Sequence, residues 1–171
     1  VNKGGYDQYQ GRIVIPIRSR YGNVIGFTAR SLGDEQPKYK NSADSILFHK
    51  SQVLFGIEDA WRQAAKADKF FLVEGAPDCM RMQSIGVLNC VAALGSSWNK
   101  EHFALIKKSA SKVCFLPDDD PPKRGEFFGH GIAVILAAGK LAMECGLSVT
   151  VKEIPDHDIE HILDPDSYYQ N

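Results

Sequence analysis

Acidic side chains follow two apolar runs of the sequence, directly where each run stops. The run from Phe70 to Val73 ends at Glu74, and a second run from Val113 to Pro117 ends at Asp118 and Asp120. Carboxylates that converge without a basic neighbour repel one another, so they need protons or a hard cation. Mg²⁺ prefers oxygen ligands and binds carboxylates together with phosphates. These runs therefore predict a magnesium site whose chemistry is phosphoryl transfer.

Runs that are apolar at almost every position are typical of parallel strands buried on both faces. Ligands of open α/β sheets bind beyond the carboxyl ends of such strands, so we expect these carboxylates at one sheet edge. Apolar periodicity and glycine or proline punctuation predict strands near 69–74, 88–92, 112–117 and 147–153, and helices near 56–66, 78–85, 99–108 and 130–145. Right-handed crossovers then give a small parallel sheet covered by helices on both faces.

The N-terminal part of the chain has a different pattern. Residues 13–17 and 24–30 are predicted to be short strands, and the turn at 20–23 joins them into a hairpin. Residues 32–50 have no sustained period and are predicted to be mostly loop. This loop carries residues available to a ligand, namely Lys38, Tyr39, Lys40, Asn41, Ser42 and Lys50.

Charge is spread unevenly along the 171 residues, whose net charge is −1. Residues 1–66 hold ten Lys or Arg against six Asp or Glu, whereas residues 67–171 hold ten against fifteen. A basic lobe followed by an acidic, metal-binding lobe suits a nucleic-acid polymerase, because phosphates need cations and metals need carboxylates. An asymmetry of this size also occurs in proteins that bind no nucleic acid. The apolar content of 44% is enough for a real core in one domain or two small lobes.

The motif Glu74-Gly75 after one strand, with Asp118-x-Asp120 after a later one, resembles the Toprim domain of bacterial primases, topoisomerases and some nucleases. Upstream segments at 6–18, 22–30 and 37–42 resemble, in order, the RNA-polymerase core of bacterial DnaG-type primases. The resemblance covers residues 6–163. It implies a Toprim-type parallel α/β sheet flanked by helices, preceded by a small mixed α/β, hairpin-containing basic lobe. The implied division is 1–66 for the basic lobe with its linking helix, 67–163 for the Toprim domain and 164–171 for a tail.

The resemblance also implies the site residues. Catalytic roles fall on Glu74, Asp118 and Asp120, with Glu74 either a general base or a metal ligand. The implied metal ligands are Glu74, Asp78, Asp118, Asp120, Asp156 and Asp158. Nucleotide or nucleic-acid binding is implied for Arg30, Lys38, Tyr39, Asn41 and Lys50. The chain departs from the family pattern at Asp119, which replaces a glycine, and at an insertion over residues 121–128.

The activity implied is that of a DNA primase catalytic core: nucleotidyl transfer, with Mg²⁺ or Mn²⁺, that makes short RNA primers on a single-stranded DNA template. The implied partners are single-stranded DNA, ribonucleoside triphosphates and the replicative helicase, the last through a domain outside these 171 residues. The chain starts at Val1 without an initiator methionine, so we expect a piece of a longer protein.

Other interpretations remain open at this point. Asp78 is also a plausible cap of the helix that follows it, and a cluster of lysines is commonly a solvated basic face. A non-catalytic Toprim module that binds nucleic acid, or a Toprim nuclease, would keep many of the same residues. An Asp-x-Asp phosphatase fits poorly, because its nucleophilic aspartate would follow the first strand of its sheet.

The sequence also argues against a membrane-spanning protein and against a disulfide-stabilised protein. The sequence has no apolar stretch of about 18 residues that could span a bilayer. The four cysteines, Cys79, Cys90, Cys114 and Cys145, lack the paired spacing of a zinc ribbon or a redox motif. We therefore expect reduced thiols, no membrane partner and a cytoplasmic location.

Overall fold

Two sheets organise the computed structural model of the chain, which describes residues 7–95, 97–117 and 130–152. The first sheet is antiparallel, in the order β1–β2–β3. Its strands are β1 (Arg12–Arg18), β2 (Val24–Ser31) and β3 (Tyr39–Asn41). The β1–β2 hairpin is the one that the sequence predicts from two short strands and the turn between them.

The second sheet has five strands in the order β4–β6–β5–β7–β8. They are β4 (Leu54–Phe55), β5 (Lys69–Val73), β6 (Cys90–Ala93), β7 (Lys112–Phe115) and β8 (Ser148–Val151). The pairs among β5, β6, β7 and β8 are parallel, whereas β4 is antiparallel to β6. The predicted parallel sheet is confirmed for β5 to β8, and β4 adds an antiparallel edge strand that the sequence did not predict.

Helices connect the parallel strands, as the sequence predicts for this class. They are α1 (Ile57–Ala67), α2 (Ala76–Ser84), α3 (Lys100–Lys107) and α4 (His130–Glu144). The helix α2 begins two residues earlier than predicted, because Pro77 is tolerated in a first turn, where its missing N–H is not needed. None of the helices in the described residues has the length and apolar character needed to cross a bilayer.

The central strand β5 is covered on both faces, which explains its unbroken apolar run. Phe70 and Leu72 are buried in one cluster with Phe103 of α3 and Phe115 of β7. On the other face, Val73 lies in a second cluster. Burying a side chain of this size stabilises the fold by about 1.5–3 kcal/mol, so the side chains of β5 contribute strongly to the stability of the sheet.

The second cluster joins the two sheets. Ile17 of β1 and Phe48 pack there with Val73 and with Leu116, which follows β7. Phe48 packs against Gly26 of β2, where a Cβ atom would come 2.9 Å from the ring. The first sheet therefore packs close to the carboxyl ends of β5 and β7.

Three short elements lie in or just after the segment expected to be mostly loop. They are β3, a 3-10 turn at Lys50–Gln52 and β4. Strands of two or three residues show no measurable periodicity, and their pairing partners lie far away in sequence, on β2 and β6. The other predicted strands and helices are confirmed to within a few residues. The domain division at residue 66 stays a prediction.

Three of the four cysteines are core residues. Cys79, Cys90 and Cys114 are buried free thiols, and Cys145 is a half-buried free thiol. None of the four forms a disulfide in the structure, and their reduced state stays a prediction.

Candidate active site at the carboxyl edge of the central strand

Glu74 is the first residue after the central strand β5. On one side Val73 pairs with Ala92 of β6, and on the other Leu72 pairs with Phe115 of β7. Val73 is buried, whereas Glu74 is half-buried at the point where the sheet ends. The strand therefore delivers one carboxylate to the carboxyl edge, where sheets of this type bind their ligands.

The turn after Glu74 leads directly into α2. The backbone N–H of Gly75 donates a hydrogen bond to Oδ2 of Asp78 at 3.0 Å. Asp78 is 7% exposed, and a Cβ atom at position 75 would lie only 2.8 Å from the same oxygen. Asp78 thus stabilises the start of α2, and its negative charge is favourable there because of the helix dipole. Its assignment as a metal ligand stays a prediction.

The remaining predicted acids, Asp118, Asp120, Asp156 and Asp158, lie outside the described residues. The chain that leads to the first of them is described as far as Pro117. The backbone N–H of Leu116 donates to the carbonyl of Leu72 at 2.9 Å, so this segment continues beside β5 toward the edge.

Within residues 7–95, 97–117 and 130–152, no group of three or more His, Cys, Asp or Glu side chains is placed to hold a metal ion. Glu74 and Asp78 are the members of the predicted ligand set that fall in these ranges. Both are hard oxygen donors on adjoining elements at one edge, and this chemistry fits a divalent cation such as Mg²⁺.

Three of the predicted ligand-binding residues share one face of the first sheet. Arg30 of β2 pairs with Tyr39 of β3, and the guanidinium carbon lies 5.8 Å from the ring centroid. Asn41, two residues further along β3, is on the same face because side chains alternate along a strand. Its Nδ2 donates to the carbonyl of Leu94, directly after β6, at 3.2 Å. This face is therefore turned toward the second sheet.

Lys38 is separated from that group. It precedes β3 by one residue, and its carbonyl accepts a hydrogen bond from the N–H of Ser31 at 2.9 Å. The strand alternation directs Lys38 away from the face of Tyr39 and Asn41, and the side chain is exposed. The structure thus does not bring Lys38 together with the other predicted residues.

Lys50 reaches the carboxyl edge from the 3-10 turn. Its side chain passes over Gly95, the second residue after β6, where a Cβ atom would lie 2.7 Å from Cε of Lys50. Gly95 has φ of +137°, a backbone conformation that other residues rarely adopt. Lys50 opens onto a polar cleft of about 320 Å³. The other described residues of the cleft are Asp44, Ser51, Leu94, Gly95, Ser97, Asn99 and His102.

The sequence interpretation missed Gly95 and His102. His102 is 2% exposed, and its Nε2 lies 3.3 Å from the carbonyl oxygen of Lys50. Burial lowers the pKa of His102 below its ordinary value of 6.5. A single histidine in an amphipathic helix forms no recognisable sequence motif. His102 is identified only by its packing against the 3-10 turn.

The arrangement brings opposite charges to one edge. The strands β5 and β6 are hydrogen-bonded neighbours, which puts them about 4.8 Å apart. Glu74 follows one of them, and Lys50 lies over the residues that follow the other. The same edge of the sheet thus carries a carboxylate that can ligate a cation or accept a proton and a lysine that can bind a phosphate.

Known proteins match the chain along most of its length. A profile of the DNA primase catalytic core, N-terminal domain, matches residues 1–61. The DNA primase of Halalkalibacterium halodurans is 34% identical over 165 residues, which cover 96% of this chain and 25% of that protein. The DNA primase of Clostridium acetobutylicum is 34% identical over 167 residues, covering 98% and 26%.

Solved structures agree with the sequence matches. The zinc-binding and RNA-polymerase domains of the Aquifex aeolicus primase superpose with a TM-score of 0.85 at 32% identity, covering 99% of this chain and 40% of that one. A DnaG primase catalytic domain bound to single-stranded DNA gives a TM-score of 0.77 at 30% identity, covering 96% and 49%.

The fold and these matches define the class as primase catalytic cores. The chain belongs to the family of bacterial DnaG-type primases. It spans about a quarter of the length of the curated relatives, and less than half of each of these two solved chains.

Proposed function

We propose that this chain carries the catalytic edge of a DnaG-type primase and takes part in templated synthesis of short RNA primers on single-stranded DNA. The observation that supports this function is the position of Glu74 at the end of the central parallel strand, beside the residues over which Lys50 lies. The relatives that carry the name DNA primase match this chain along at least 95% of its length.

The proposed cofactor is Mg²⁺ or Mn²⁺, held by Glu74 and Asp78 together with Asp118, Asp120, Asp156 and Asp158. A divalent ion bound there would neutralise the triphosphate and stabilise charge on the leaving pyrophosphate. Glu74 either ligates that ion or accepts the proton of the attacking 3′-hydroxyl, and one carboxylate can serve either purpose.

The proposed substrates are ribonucleoside triphosphates and a single-stranded DNA template. Lys50 supplies a point charge for a phosphate, and Arg30 can hold a phosphate through two parallel hydrogen bonds. Tyr39 and Asn41 supply a stacking surface and an amide on the same sheet face, and the exposed Lys38 supplies a further cation for the DNA backbone. A replicative helicase is the proposed protein partner, through a domain outside these 171 residues.

Calorimetric titration of the wild type, Glu74→Ala and Asp118→Ala with Mg²⁺ and Mn²⁺, alongside primer synthesis on single-stranded DNA, tests this function. We expect metal binding that Asp118→Ala abolishes, and metal-dependent oligoribonucleotides from the wild type alone. Glu101→Ala, which removes an exposed acid on α3, is the matched control and should resemble the wild type.

Two other outcomes would point to the alternatives. If no divalent ion binds at millimolar concentration while single-stranded DNA still does, a non-catalytic binding module becomes the better account. Metal-dependent cleavage of DNA without any primer product would instead indicate a nuclease.

A further inference from the structure

The backbone of Lys50 is held at two points, and its exposed side chain lies over Gly95. Its backbone N–H donates to Oδ1 of Asp44 at 3.2 Å. Its carbonyl oxygen lies 3.3 Å from Nε2 of His102. Lysine side chains at protein surfaces are normally mobile, so the two hydrogen bonds to the backbone of Lys50 fix the point from which its side chain extends.

His102 is an unusual choice for a core position. A carbonyl oxygen can only accept, so Nε2 of His102 carries the proton of this hydrogen bond. Nδ1 is buried and has no hydrogen-bond partner among the described residues. A buried polar atom without a partner destabilises the fold, and an apolar side chain would fill the same space without that cost. The imidazole interacts with the backbone of Lys50 and of Val53, and the bond to Lys50 is a contribution that an apolar side chain could not make.

The donor itself is rigidly placed. The backbone N–H of His102 donates to the side chain of Asn99, the cap of α3, at 2.9 Å. The ring of Trp98 packs edge-on against the imidazole, with centroids 5.8 Å apart. The imidazole thus has little freedom to turn away from the carbonyl of Lys50.

Gly95 leaves space for the side chain of Lys50. Any Cβ atom at position 95 would meet Cε of Lys50 at 2.7 Å, closer than real Cβ contacts come. Gly95 follows β6, the neighbour of β5, so the path of Lys50 over this residue leads to the edge that carries Glu74.

We propose that His102 and Gly95 are positioning residues that fix the ammonium of Lys50 at the carboxyl edge, where it binds a phosphate of the incoming nucleotide. His102 holds the backbone of Lys50 and Gly95 gives its side chain a path. This inference rests on the proposed function for its ligand, but the position of Lys50 can be measured without any ligand.

The first experiment measures that position in the free protein by NMR. We expect a nuclear Overhauser effect between the Hα protons of Gly95 and the Hε protons of Lys50. His102→Leu should abolish it, whereas His102→Gln should keep it, because the Gln amide can donate to the same carbonyl. Ile106→Val, a core change one turn further along α3, is the control for lost packing and should keep it. Persistence of the effect in His102→Leu would overturn the role of His102.

The second experiment measures the affinity for ATP in the presence of Mg²⁺. Lys50→Ala, His102→Leu and Gly95→Ala should each weaken binding about tenfold, the lower end for a hydrogen bond to a charged group. The double variant His102→Leu with Lys50→Ala should bind no more weakly than Lys50→Ala alone. Gly86→Ala is the matched glycine control, because φ is also positive there but no atom lies within 4 Å of its Cβ.

The outcomes separate this inference from the proposed function. Additive losses in the double variant, or lower thermal stability of His102→Leu with unchanged ATP affinity, would show that His102 is merely structural. If the wild type binds no ATP, the proposed function and the phosphate role of Lys50 both fail. The NMR result still decides whether His102 and Gly95 position Lys50.

Discussion

Asn41 and Leu94 are 53 residues apart in sequence, yet Nδ2 of Asn41 donates a hydrogen bond to the carbonyl of Leu94 at 3.2 Å. This bond ties β3 of the first sheet to the carboxyl end of β6 in the second. Together with the apolar contacts of Ile17 and Phe48, it brings the face that carries Arg30 and Tyr39 toward the edge that carries Glu74.

Asn41→Ala should lower the free energy of unfolding by about 1–3 kcal/mol, because the carbonyl of the buried Leu94 would lose its partner. Asn41→Asp keeps the shape of the side chain but has no N–H to donate, so it should be at least equally destabilising. Urea denaturation of the two variants measures the effect. A wild-type midpoint for Asn41→Asp would show that the bond contributes nothing to stability.

Glu74→Gln should abolish most primer synthesis while the fold is retained. Loss of a general base or of a metal ligand lowers the rate at least about 100-fold. Because Glu74 is half-buried, an amide can replace its carboxylate without a large change in packing. Initial rates of dinucleotide formation, with the thermal midpoint measured in parallel, check both parts. Glu101→Gln is the control, and a Glu74→Gln rate within a few-fold of the wild type would remove Glu74 from the mechanism.

Gly56→Ala should destabilise the protein far more than Gly11→Ala. Both glycines have positive φ, at +78° and +70°, so both substitutions strain the backbone by about 1 kcal/mol. A Cβ atom at Gly56, however, would also lie 2.7 Å from Sγ of Cys79 and from Nε2 of Gln83, whereas no atom lies within 4 Å at Gly11. We expect a total loss of about 2–4 kcal/mol for Gly56→Ala in denaturant titrations. Equal losses of stability for the two variants would mean that the core around Cys79 accommodates the added methyl group at little cost.

Asp68 should make the stability of the protein depend on pH in the acid range. Hydrogen bonds from the side chain and backbone of Ser111, and then Lys112, lower its pKa from 3.8 to about 2. The unfolded state thus binds more protons between these values, and stability that is fully present above pH 3.8 is lost as the pH falls toward 2.

Thermal midpoints of the wild type and Asp68→Asn between pH 2 and pH 5 test this dependence. Asn tolerates the left-handed backbone at φ of +49°, so the change removes the charge without adding strain. The difference between the two proteins should shrink as the pH is lowered. Asp34→Asn, in an exposed loop, serves as the control and should follow the wild-type profile.

Much of the second sheet could be predicted because its pattern is local. The run of β5 is apolar at almost every position since both faces are covered, and Glu74 interrupts it where the sheet ends. The strand β3 was missed because three residues cannot establish a period, although its register with β2 brings Tyr39 opposite Arg30. The resemblance grouped Lys38 with Tyr39, but Lys38 directly precedes β3, and consecutive residues of an extended chain point to opposite faces.

The sequence by itself determined the α/β class, the hairpin, the order of strands and helices, and the delivery of Glu74 to the end of a buried strand. Each of these follows from residue types and spacing within about fifteen residues. The tertiary structure alone decided the antiparallel edge strand β4, the contact of Asn41 with Leu94, and the restraint of Lys50 by His102 and Gly95. These contacts join residues about 40 to 55 positions apart, and their geometry depends on how the two sheets pack rather than on any local preference of the chain.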